Sequence, residues 1–348
     1  MNKIKILVIG PKPPPIGGAR IAFDLLCRKS DLFSNQFDTT FINIPLYRKK
    51  FLKNFVIRAI MLLNIFLKIP FYKYIVLHSS ANFMFHMGPS IIMYSKFLNK
   101  KIQIRFFGSR IDILINKKPR VKKLILKADQ ILLETKGLIN FFQKGSQHNG
   151  LIWFPNSRKF NIEKPRFSEK LKNIIYVGQL KEEKGTLDLI NAFKMFNTDI
   201  VNIELHLVGQ IMDASINEII KDNPKIIYHG ILPNSICQNL ISESDLFVYP
   251  SKYESEGYPG VILEAMSLGK PVIASKWRFL NELVEDDYNG KLFDVNSPKD
   301  IKEKIDFYLN NDSKLIEHSK NSYTFSKKFD SDYWNKNIYN DILYNFLN

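Results

Sequence analysis

The stretch EGYPGVILEAMSLGKPVIAS, Glu256 to Ser275, decides how this chain is read. Gly257, Pro259 and Gly260 are turn formers, and VILEAMSL carries a compact apolar helical pattern. Gly269 suits a left-handed C-terminal cap, and Pro271 stops the helix before the strand-like VIAS. Loop, short helix and strand in that order make one step of an α/β sheet. The main-chain N–H groups near Gly260 to Leu263 then form a helix N-terminus, which attracts phosphate through its donors and dipole. Glu256 lies in the loop before that helix and Glu264 about one turn inside it. Anion-binding amides flanked by two carboxylates suit a ligand that is both phosphorylated and rich in hydroxyls, as a nucleotide sugar is. On spacing alone a second reading stays open: Glu264 offsets the helix dipole and Glu256 is a solvated loop acid.

Outward from this stretch the same rhythm repeats. The first half alternates strand candidates IKILVIG, TTFINI, YIVLHSS, KIQIRFF and QILLET with helical or loop segments, which predicts a parallel sheet covered on both faces. After LIWFPNSRKF the rhythm restarts with NIIYVG, IELHLVG, KIIYHG, LFVYPS and PVIAS. A chain of 348 residues exceeds the ~250–300 at which one core stops growing. Two Rossmann-like domains with a cleft between them are therefore expected: 1–160, 161–325, and a helical tail over 326–348 that packs back on the first. The two cysteines, Cys27 and Cys237, show no metal-ligand spacing and suggest reduced thiols in a cytoplasmic setting. IKILVIG is too short for a signal peptide and reads as a first buried strand.

Charge is uneven. Of 50 basic residues 26 lie in the first 150, with only 6 of the 34 acidic ones, and no Asp or Glu occurs between Asp38 and Asp112. Within that gap, a helix over Phe51 to Lys68 would gather Lys53, Asn54, Arg58, Asn64 and Lys68 in an arc of roughly 140° and leave a wide apolar face. Its charges interrupt it too soon for a membrane span, so an interfacial helix is the membrane reading. Lys49, Lys50, Lys53, Arg58 and Lys68 would then meet anionic headgroups; a surface helix packed on its own domain is the rival reading. No helix-turn-helix, RNA-binding or zinc-finger signature accompanies the basic surface, which argues against a nucleic acid partner.

Glycines close several strands. Gly10 ends the first, and PPPIGGAR brings Gly17 and Gly18 before a helical run, either to let the backbone approach a ligand or as an ordinary surface loop. No G-x-G-x-x-G fingerprint is present, which disfavours an NAD-dependent enzyme. In YVGQLKEEKG, Lys184 follows a strand and precedes a helical run, as a cleft cation beside a diphosphate or as a solvated lysine.

Taken together, YVGQLKEEKG, LVG, YHG, SDLFVYPSKYESEGYPGVILEAMSLGKPVIAS and NGKLFD closely resemble the pattern of glycosyltransferase family 4, within the two-domain GT-B fold. The match is dense over Asn173 to Asp294, and the Glu-x7-Glu element makes it specific. The resemblance implies that Glu256 contacts donor-sugar hydroxyls, that Glu264 accepts hydrogen bonds from the ribose, and that Tyr258, Pro259, Gly260 and Val261 form the donor-binding loop whose amides meet the sugar and diphosphate. It implies that Lys184 neutralises the leaving diphosphate and that Gly17 and Gly18 close over the donor. Gln179 stands where the family often has a diphosphate-binding arginine, and Phe107 where it often has a histidine before Gly108, so Arg105 or Arg110 is the expected substitute near the sugar. The Asp330-Ser-Asp332 triplet resembles a metal-binding motif but lies in the tail. No metal or cofactor is expected beyond the nucleotide-diphosphate sugar as co-substrate.

These features imply a retaining glycosyltransferase that moves a hexose from a nucleotide sugar, UDP favoured over GDP, to a lipid-linked glycan. It would work in surface polysaccharide biosynthesis at the cytoplasmic face of the membrane. A nucleotide-sugar 2-epimerase of the same fold, or a catalytically silent membrane-associated binding protein, are the alternatives.

Overall fold

In the computed structural model the described residues are 3–13, 18–44, 51–160, 165–197 and 200–348; the side chains of 51–55 and 221 are outside the description. The chain divides into two compact units, Met1–Ser157 with Ser331–Asn348, and Arg158–Asp330.

The first unit is built on β1 (Ile4–Gly10), β2 (Phe37–Asn43), β3 (Tyr74–Ser80), β4 (Lys101–Phe107), β5 (Gln130–Leu133) and β6 (Leu151–Trp153). They form one parallel sheet in the order β2-β1-β3-β4-β5-β6. Ile6 to Ile9 and Ile75 to Leu77 are wholly buried, as expected for parallel strands covered on both faces. The core is completed from the far end of the sequence. A π-helix at Tyr333–Ile338 runs into an α-helix at Tyr339–Leu347. Trp334, Tyr339, Leu343 and Phe346 pack in one cluster with Ile6, Val8, Phe23 and Phe154. The buried Tyr339 hydroxyl donates to Gln103 Oε1 at 2.9 Å, meeting the requirement that a buried phenol find a partner.

The second unit holds β7 (Asn173–Val177), β8 (Glu204–Val208), β9 (Ile226–Tyr228), β10 (Leu246–Tyr249), β11 (Val272–Ser275) and β12 (Gly290–Phe293), again parallel, in the order β12-β11-β10-β7-β8-β9. The order reverses between β7 and β10, because β7 is followed outward by β8 while β10 lies on its other side. Such a reversal leaves a crevice at the carboxyl ends of the two strands, where open α/β sheets bind ligands. The decisive stretch folds as the sequence implies: a loop, a helix at Gly260–Ser267, a left-handed Gly269 at φ +74°, and β11. Two strands were not anticipated. β6 and β12 are only three and four residues long and lie at sheet edges, where the apolar run is too short to stand out.

Helix Phe51–Lys68 forms as expected but does not present one apolar face inward. Met61 and Ile65 are buried, whereas Val56, Ile60, Leu63 and Leu67 are more than half exposed. Among the described residues no helix is long and apolar enough to cross a membrane.

Candidate active site

The loops after β7 and β10 are stitched together. Gly185 adopts φ +67°, and a Cβ there would collide with the carbonyl oxygen of Pro250, so only glycine lets the two loops approach this closely. Lys252 N donates to Glu183 O at 2.9 Å. This approach brings Lys184 and Glu256 together: Lys184 Nζ bonds to Glu256 Oε1, and the two side chains are 15% and 8% exposed.

Glu256 is held from three sides. Besides Lys184, Tyr249 Oη donates to Oε1 at 3.0 Å and Ser251 Oγ at 2.8 Å. Tyr249 ends β10 and Ser251 lies two residues beyond it, and both hydroxyls reach the same carboxylate oxygen. Burial, then the neighbouring Glu256 charge, push the Tyr249 hydroxyl well above its ordinary pKa. Tyr249 is therefore a fixed donor to the carboxylate rather than a proton source. The Lys184 ammonium lies 3.3 Å from the same hydroxyl and 4.7 Å from the centre of the Tyr253 ring. The cluster can orient a hydroxylated ring against one carboxylate while presenting one ammonium to an anion.

A second cluster lies at the start of helix Gly260–Ser267. Pro259 precedes it and makes no side-chain cap. Arg158 lies against this turn: a Cβ on Gly260 would collide with its guanidinium, and its Nε reaches Glu264 Oε1 at 3.1 Å. Burial raises the Glu264 carboxyl above its usual range, with Arg158 opposing that shift. A guanidinium at a helix N-terminus adds a fixed cation to donors that already favour anions. Arg158 was missed in the sequence because it sits in FPNSRKF, which reads as a boundary, and its partner is 106 residues away.

The remaining residues fall elsewhere. Val261 lies in the first turn of the helix, whereas the Tyr258 side chain turns into the core, donating to Glu282 Oε2 at 2.5 Å and packing edge-on against Phe329. Gln179 is exposed, and its carbonyl accepts from Tyr176 Oη at 2.8 Å. In the first unit, Arg105 is buried and stacks over Phe107 and Phe154 at 4.7 and 4.4 Å. Gly108 has φ +80° and its N–H donates to Glu134 Oε2 at 3.3 Å, while Arg110 begins helix Ile111–Lys117. His78, fully buried beside Arg105, has its pKa pushed well below the ordinary value by burial and then by that cation. Gly18 opens helix Gly18–Lys29, Arg58 lines a cavity, and Lys68 ends its helix. Gly17, Lys49 and Lys50 lie outside the described residues, as does the side chain of Lys53. Asp332 pairs with Lys29 at 2.9 Å. Among the described residues no group of three or more His, Cys, Asp or Glu could hold a metal ion.

Residues 157–325 match the family model described as Glycosyl transferases group 1. The chain is 34% identical to the uncharacterized glycosyltransferase MJ1178 of Methanocaldococcus jannaschii over 204 residues, which are 58% of this chain and 56% of that protein. It is 27% identical to the capsular polysaccharide biosynthesis glycosyltransferase CapM of Staphylococcus aureus over 169 residues, 44% of this chain and 43% of that one. The chain thus spans about half the length of these curated relatives. The crystal structure of Anabaena Alr3699/HepE in complex with UDP superposes with a TM-score of 0.74 at 16% identity, covering 98% of this chain and 100% of that one. The two parallel sheets are therefore those of the GT-B fold, and residues 157–325 are similar to a group 1 glycosyltransferase domain.

Proposed function

We propose that the protein is a retaining glycosyltransferase that moves a hexose from a UDP-sugar to a lipid-linked glycan in surface polysaccharide biosynthesis, at the cytoplasmic face of a membrane. The observation that carries this reading is the meeting of Lys184 and Glu256, 72 residues apart in sequence, at the reversal between β7 and β10. A capsular enzyme among the relatives and UDP in a structural neighbour point to the pathway class and the base.

The chemistry follows from the two clusters. In this reading the diphosphate rests on the first turn of helix Gly260–Ser267 between the cations Lys184 and Arg158. Arg158 supplies the charge that Gln179 lacks. Glu264, beside Arg158, accepts from the ribose, and Glu256 accepts from sugar hydroxyls and faces the positive charge that develops on the ring. Departure of the diphosphate places negative charge beside Lys184, so the site stabilises the transition state more than the neutral sugar. The departing oxygen takes the acceptor proton, and no separate base is required. Two protein cations take up the diphosphate charge, so the reaction calls for no metal ion or prosthetic group.

The test is a thermal-shift screen of UDP- and GDP-sugars, with each stabilising donor followed for slow hydrolysis. A UDP-sugar that both stabilises the protein and is hydrolysed is the expected result. Release of a free epimerised sugar would point to a 2-epimerase, and stabilisation with no turnover, even with lipid-linked glycans added, would point to a silent binding protein.

A further inference from the structure

The Tyr253 ring faces the ammonium of Lys184 and has no role in the chemistry derived above. Lys184 Nζ lies 4.7 Å from its centre, and Lys181 Nζ lies 4.6 Å from the same centre. The Tyr249 ring is farther from Lys184, at 5.7 Å, close to the distance of about 6 Å at which an aromatic face still attracts a cation. Lys184 is mostly buried, so little water competes with that attraction. Lys181 differs, because its ammonium pairs at 2.7 Å with Glu183, a surface carboxylate that is 63% exposed.

The backbone that carries the ring is fixed by the groups that hold Glu256. Tyr253 N donates to Ser251 Oγ at 3.3 Å, and that hydroxyl donates onward to Glu256 Oε1 at 2.8 Å. The Tyr253 carbonyl accepts from Glu256 N at 3.1 Å and from Trp277 Nε1, in the loop after β11, at 2.9 Å. One turn of chain therefore sets both the ring and the carboxylate on which Lys184 rests. Sugar transfer needs the two partners apart, with the carboxylate against the sugar and the ammonium against the diphosphate. A second carboxylate beside Lys184 would compete with the diphosphate for it. An aromatic face attracts the ammonium through its quadrupole and adds no net charge, so the positive charge stays available.

We propose that Tyr253 is a positioning residue for the transfer step: its ring seats the Lys184 ammonium when Glu256 turns to the sugar, and keeps that cation against the oxygen from which the sugar departs. The inference rests on the sugar-transfer reading above and adds to it a residue that acts through Lys184. Charge on the departing oxygen grows only as the bond to the sugar breaks, so the seat favours the transition state over the bound donor.

The test compares Tyr253→Leu, Tyr253→Phe and Lys181→Met with wild type for the rate of UDP-sugar hydrolysis and, by calorimetry, for affinity toward UDP-sugar and UDP. Tyr253→Leu removes the aromatic face and leaves the main-chain bonds. Its kcat should fall about tenfold. UDP affinity should fall with it, because UDP carries the charge left when the sugar departs, while UDP-sugar affinity stays within threefold. Tyr253→Met, which also lacks the face, should behave alike and serves where the leucine variant does not fold. Tyr253→Phe keeps the face and should retain kcat within twofold, as should Lys181→Met. Wild-type turnover in Tyr253→Leu, an equal loss in Tyr253→Phe or Lys181→Met, or an equal fall in UDP-sugar and UDP affinity would each overturn the proposal and leave the sugar-transfer reading standing. A wild type that turns over no UDP-sugar would overturn that reading, and this inference with it.

Discussion

Arg158 Nε lies 3.1 Å from Glu264 Oε1, and its guanidinium fills the space that a side chain on Gly260 would take. Gly260→Ala therefore displaces the far end of a flexible side chain rather than backbone, and the fold should tolerate it. UDP affinity should fall about tenfold, equivalent to ~1.4 kcal/mol, with the melting temperature within a few degrees of wild type. Unchanged affinity by calorimetry would remove Arg158 from the donor site.

Arg158→Ala leaves the Glu264 carboxylate mostly buried without its cation. Breaking such a pair costs on the order of 3 kcal/mol when the charge is fully buried, and less here because both side chains keep some exposure. Burial raises the Glu264 carboxyl above its usual range even in the intact protein, and loss of Arg158 raises it further. The cost should be largest at neutral pH and shrink as acidification protonates Glu264. Denaturant unfolding at several pH values checks this; a cost independent of pH would contradict it.

Lys270 is buried, donates to the Arg166 carbonyl at 3.0 Å, and has its pKa lowered from 10.5 to about 8 by burial and then by the Arg166 charge. The unfolded chain binds this proton more tightly than the folded one. Stability should therefore rise as pH increases from about 8 to about 10.5, by roughly 3 kcal/mol at most. Lys270→Met should flatten that part of the stability profile. A profile with the same slope in the variant would show that the ammonium is not the cause.

The exposed stripe on helix Phe51–Lys68 predicts binding to anionic vesicles. Ile60→Glu with Leu67→Glu places two acids on the stripe and touches no buried side chain. Flotation should recover wild type with phosphatidylglycerol vesicles and leave the double variant in solution, with UDP binding unchanged. Equal flotation of both would exclude this face as the membrane contact.

The tail predicts a stability effect confined to the first unit. Tyr339 is wholly buried among Phe154, Trp334 and His78 and donates to Gln103. Tyr339→Phe should cost about 1 kcal/mol for the lost hydrogen bond, and Tyr339→Ala about 3–5 kcal/mol for the cavity. Hydrogen exchange should show the loss in β1, β3 and β4 and not in β7 to β12.

Much of this was legible in the sequence. Ten of the strands announce themselves because parallel strands covered on both faces are continuous apolar runs, and IKILVIG or LFVYPS can hardly be anything else. The placement of Glu256 and Lys184 in loops after strands, and of Glu264 in the helix that follows, was legible because the motif fixes their position relative to strand ends. Arg158 was not, because its role depends on a pairing across 106 residues that no local period encodes. Helix Phe51–Lys68 was legible in its bounds but not in its packing: Met61 and Ile65 face inward and Ile60 and Leu63 outward, both sets apolar, so periodicity does not choose the buried face. The burial of Arg105 and its stacking over Phe107 and Phe154 were not legible, because they depend on strand register.

The central claim is that Glu256, gripped by Lys184, Tyr249 and Ser251, serves sugar transfer rather than stability alone. The most direct measurement is the rate of UDP-sugar hydrolysis, or of transfer once an acceptor is found, in Glu256→Gln against wild type. The substitution keeps the shape and an acceptor oxygen but removes the charge. The account predicts a fall of at least a hundredfold in kcat, with UDP still bound and the melting temperature within a few degrees. Turnover at the wild-type rate in a folded Glu256→Gln protein would contradict it.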